Sequence, residues 1–140
     1  MRYVFVLLLM VIAAACGGSK ETAEGDEWKE MEEFHIVMAD YYHPIKDEGN
    51  VAPIKGGADK LAAAAEKWAQ APLPAKVDNE DVKTYLGRLQ DRSKTLAANI
   101  GTMSDDAIKE EMTSLHDIFH QAMDAWYHAP EGAAGEHKDH

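Results

Sequence analysis

The chain is expected to be all-α, an antiparallel four-helix bundle running up-down-up-down, and three observations predict it. Apolar residues recur at alternating steps of three and four through four separate stretches, which is the signature of one buried helix face. No stretch alternates apolar and polar residues with the period of two that a strand requires. Segments rich in Pro and Gly separate the four stretches, so each helix is long enough to bury a face against the others and short enough to fold back.

The first fifteen of the 140 residues are read as lying outside that bundle. Met1-Arg2 is a short basic start, residues 3–12 are an unbroken apolar run, and Ala13-Ala14-Ala15 is a small-residue stretch ending at Cys16. The run is too short to span a membrane and has the flanks of a signal peptide. With its single cysteine directly after the small residues, the segment resembles a bacterial lipoprotein signal, although Ala13 stands where leucine is most common. The resemblance implies cleavage after residue 15, lipid on Cys16, and an extracytoplasmic protein held at a membrane surface, on the periplasmic side or at the outer membrane. A lipid-bearing Cys16 leaves no thiol for a disulfide, a thiolate metal site or a nucleophile.

Residues 17–26 hold no apolar side chain large enough to pack and are rich in Gly and acids, so 16–26 reads as lipidated cysteine plus flexible tether. The bundle itself is assigned to 27–128, and about a hundred residues suffice for one modest core. In the first helix Trp28, Met31, His35, Met38 and Tyr42 form the inner stripe, with His35 at a position that otherwise demands an apolar residue. Pro44 is expected to end this helix, placing His43 at or beyond its end. Residues 45–57, with Pro53, Gly49-Asn50 and Gly56-Gly57, read as a long connection with defined turns.

A short Ala-rich helix over 59–70 follows, with Leu61, Ala65 and Trp68 on one side, stopped by Ala-Pro-Leu-Pro at 71–74. The third helix is expected to be capped by Asp78, to carry Val82, Leu86, Leu89, Ser93, Leu96 and Ile100 inside, and to close at Gly101. Ser93 is the polar break in that seam, read as a back-bonded serine or as a donor to a neighbouring group. Ser104 is expected to cap the fourth helix, whose core stripe is Ile108, Met112, Leu115, Phe119, Ala122 and Trp126. Residues 129–140 read as a polar, flexible tail.

Chemistry concentrates on the fourth helix. His116 and His120 are four residues apart, so they stack on one helix face, and Met123 follows three residues later on the same side. If Trp28 and Trp126 share one end of the bundle, antiparallel packing brings His35 level with Phe119 and His120, and Met38 level with His116, to within about one helical turn of 5.4 Å. The metal-ligand set expected from this register is His35, His116 and His120, with Met38, Met123 and His43 as auxiliary candidates. Imidazole and thioether donors suit copper, and imidazoles with a carboxylate suit zinc, nickel or iron. Glu32 and Asp117 each stand three residues before a histidine, as in di-iron carboxylate bundles, but the middle helices offer no matching inward acids.

The plan also resembles two other kinds of bundle. In outline it is similar to the b-type four-helix cytochromes, which implies haem b held by Met31 or Met38 with His116 or His120, or by two histidines with His35 as one of them. It shares the fold of the cytochrome c-prime family, but lacks the Cys-x-x-Cys-His needed for covalent attachment. As an exported helical chain with His and Met on its helices, it resembles periplasmic metal-binding proteins as well.

The formal net charge of −11 argues against nucleic acid as a partner, since phosphate binding needs clustered Lys and Arg. Nothing points to an enzyme: there is no nucleophile elbow, phosphate-cradling loop or dinucleotide fingerprint. The sequence therefore leads to an expectation of a lipoprotein that binds copper or zinc for storage, delivery or sensing. Its partners would be the membrane, the metal, and a second copy or a metal-efflux protein. A haem electron carrier and a lipoprotein without metal are the alternatives.

Overall fold

The structure, a computed structural model, describes residues 27–129. The expected leader, Cys16, the tether and the tail beyond residue 129 lie outside the described residues. Among the described residues the elements are α1 (Lys29–Glu48), α2 (Ala52–Gln70), α3 (Glu80–Asn99) and α4 (Asp105–Tyr127), with short 3-10 turns at Ala75–Val77 and Ile100–Thr102. No strand occurs among them, as the periodicity predicted. None of these helices is long and apolar enough to cross a membrane.

Each helix packs on the next in sequence, and α4 returns to α1, which closes the square of a four-helix bundle. The direction of α4 against α1 is written in three ring pairs: Trp28 with Trp126, His35 with Phe119, and Tyr42 with His116. As α1 advances α4 recedes, so the two are antiparallel in the register the sequence predicted from the tryptophans.

The core runs the length of the bundle, from Trp28, Trp68, Phe34 and Phe119 at one end through Met38, Leu61, Leu89, Met112 and Leu115 to Ile45, Val51 and Ile54 at the other. Burying an aliphatic or aromatic side chain of this kind is worth about 1.5–3 kcal/mol, and this sum holds the helices together. Ser104 caps α4 as expected, its Oγ accepting from the Ala107 N–H at 3.2 Å. The cap of α3 is Asn79 rather than Asp78, with Asn79 Oδ1 accepting from the Val82 N–H at 3.0 Å.

The first connection differs from expectation. Pro44 lies inside α1, and α2 begins at Ala52, so the long loop over 45–57 is only residues 49–51. A proline one turn from the end sacrifices a single hydrogen bond, the one to the carbonyl four residues back. Burial of Ile45 repays continuing the helix beyond it. Gly49 then stops α1 in the left-handed conformation at φ 64°, donating its N–H to the Ile45 carbonyl at 2.8 Å, and Asn50 N–H reaches the Pro44 carbonyl at 3.0 Å. Pro53 sits in the first turn of α2, where its missing N–H costs nothing.

Gly56 and Gly57 belong to α2 rather than to the connection, and Gly57 has a packing role there. A Cβ at Gly57 would lie 2.2 Å from the Tyr41 ring, so α2 passes directly under that tyrosine because it has no side chain at this point.

Candidate functional site

Three consecutive turns of α4 place Met112, Leu115, Phe119 and Ala122 in the core, and the residues beside them on the flank toward α1. His116 and His120 occupy that flank, and both are half-buried. Their Nε2 atoms are 3.2 Å apart. When both rings are neutral, one imidazole can donate a hydrogen bond to the other only if the two carry opposite tautomers. The same spacing suits a shared metal: with metal–nitrogen bonds of about 2.0–2.1 Å it gives an angle of about 100–106° at the ion, close to tetrahedral.

Aromatic rings hold the pair in place. Tyr42 from α1 lies flat on His116, with centroids 4.0 Å apart and planes 16° from parallel. Phe119 meets His120 edge-on at 5.7 Å. These contacts restrict both rings before any ligand arrives, which reduces the ordering cost of binding. Burial and the neighbouring His120 hold the pKa of His116 below its ordinary value of 6.5, with Lys46 and His35 of α1 pushing the same way and Asp117 opposing. The depression favours the uncharged imidazole at neutral pH, which is the form that ligates metals.

The remaining predicted residues fall in different places. His35 is level with Phe119 as expected and stacks on it at 5.1 Å, but it is exposed; the core position belongs to Phe34. Among the described residues, no three His, Cys, Asp or Glu side chains come together as a metal-holding group, so the pair is not joined by a third such donor. Met38 is sealed in the core at 1 % exposure and Met31 at 2 %, packed as ordinary apolar side chains. Met123 is half-buried against the core, one turn beyond His120. His43 and Glu32 are exposed on α1, and Asp117 is exposed on α4. The haem arrangement draws no support from methionines buried this way while the histidines sit at a partly open seam.

Tyr42, expected from the periodicity to be a core residue, instead contributes to this site by stacking on His116. The signal was available, since Tyr42 follows His35 by seven residues, two turns along the same flank of α1. No protein-family profile, curated protein or solved structure matches this chain.

Proposed function

We propose that this protein is an extracytoplasmic lipoprotein whose α1/α4 seam captures a transition metal, copper(II) or zinc(II), through His116 and His120. The observation that carries the reading is the 3.2 Å separation of the two Nε2 atoms, held by Tyr42 and Phe119 rather than by the ion. Imidazole nitrogen is a good donor for both metals, and Met123 adds a thioether one turn away that favours copper in its reduced state.

Two protein ligands leave coordination positions open. An open site suits delivery or sensing, in which the ion passes to another ligand set, better than long-term storage behind a closed shell. The reading is one of binding, not turnover.

Equilibrium dialysis of the full chain against Cu(II) and Zn(II) tests the metal site. His116→Ala with His120→Ala is expected to weaken binding at least a hundredfold while leaving far-UV helicity unchanged; equal affinity in the double variant sinks the proposal. The anchor has a separate test, because Cys16→Ser is expected to release the protein from membranes, and wild-type partitioning of that variant refutes lipidation at Cys16.

A further inference from the structure

We propose that the α1/α4 seam is where two copies of this chain meet around one shared metal ion, with His116 and His120 of each copy supplying four imidazoles. The inference rests on the metal reading above and names the partner of that site. A pair of nitrogens 3.2 Å apart is half of a tetrahedral zinc set, and no third His, Cys, Asp or Glu among the described residues extends it. A two-fold axis doubles any half-site that lies on it, because an isologous interface presents the same side chains from both partners.

The surface around the pair supports a partner of this kind. Among the described residues, the exposed large hydrophobic side chains are Ile36 and Tyr127, at 65 % and 62 % exposure. Tyr127 follows His120 by seven residues and Met123 by four, so it continues the same flank of α4; Ile36 adjoins His35 on the solvent side of α1. Scattered exposed apolar residues are ordinary, but Tyr127 borders the seam, with half-buried Met123 between it and the histidines, whereas Ile36 lies opposite the buried Phe34 and Met38 and away from the seam.

With a formal charge of −11 on each chain, the copies repel overall, so the ion is what turns an unfavourable encounter into a dimer.

The test uses the full chain purified in mild detergent with Zn(II) alone as the probe, following bound metal by equilibrium dialysis and protein mass by light scattering with the detergent contribution subtracted. One zinc per two chains, a doubled protein mass, and reversal by a chelator are expected. Tyr127→Glu, at an exposed position, is expected to weaken the metal-dependent dimer at least tenfold and leave the metal-free mass unchanged. One zinc per chain on a protein that stays monomeric overturns the dimer and leaves the metal reading standing. No zinc bound at all overturns the dimer and removes zinc from the metal reading, which then rests on copper.

Discussion

His116 and His120 face each other across one turn of α4 with Nε2 atoms 3.2 Å apart, so the two rings cannot both be protonated without aiming two N–H groups at each other. The charge on one is therefore felt by the other, and His120 is among the groups that depress His116. Replacing His120 with Ala is expected to raise the titration midpoint of His116 toward 6.5, read from its imidazole resonances by NMR. A midpoint that does not move assigns the depression to burial and to the α1 groups alone.

The same depression fixes a pH window for stability. The unfolded chain takes up the His116 proton near 6.5 and the folded chain only at lower pH, so below about 6.5 the unfolded state binds more protons. The His116 contribution is fully present above that value and is lost as pH falls through the folded pKa. Tyr42, His35 and Lys46 from α1 and His120 and Asp117 from α4 surround the ring and set the size of the effect. Urea midpoints measured at pH 7.5 and pH 5 are expected to differ less in His116→Gln than in the wild type; identical differences refute the assignment.

Gly57→Ala tests the close approach of α1 and α2. Alanine ordinarily favours a helix over glycine by about 1 kcal/mol. Here the new methyl would meet the Tyr41 ring at 2.2 Å, so overpacking wins and a net loss of about 1–3 kcal/mol is expected in chemical denaturation. On a Tyr41→Ala background the same substitution is expected to become neutral or stabilising, which separates the clash from any general intolerance at the site.

Ser93 offers a gain. Its Oγ is fully buried in the core seam of α3 with no hydrogen-bond partner, unlike Thr84, Thr95 and Thr113, which all bond to the carbonyl four residues back. A buried hydroxyl without a partner costs about 1–3 kcal/mol of desolvation. Ser93→Ala is expected to raise stability by about 1 kcal/mol, and a loss would mean that the hydroxyl has an important partner.

The four stripes, the Ser104 cap, the antiparallel register of α1 against α4 and the meeting of His116 with His120 were legible because each follows from helical period and chain direction alone. What the sequence misplaced was the phase of α1 and the length of the first connection. Steps of three and four admit two phases in α1, one through His35 and one through Phe34, and the choice is made by Phe34 packing on Trp68 and Phe119, residues distant in sequence. Pro44 read as a stop because its local cost is visible, whereas the burial of Ile45 that offsets it depends on the other helices. The role of Met38 was ambiguous for the same reason: a thioether is equally a soft ligand and a core filler, and only its burial decides between them.

Trp28, Trp68 and Trp126, the three tryptophans of the chain, sit together at one end of the bundle. Intrinsic fluorescence is therefore a one-sided gauge of this protein. It reports whether the end formed by the start of α1 and the finishes of α2 and α4 is closed, and it is blind to fraying at the Gly49 corner. Paired with circular dichroism, which counts helix everywhere, it would show from which end the bundle comes apart.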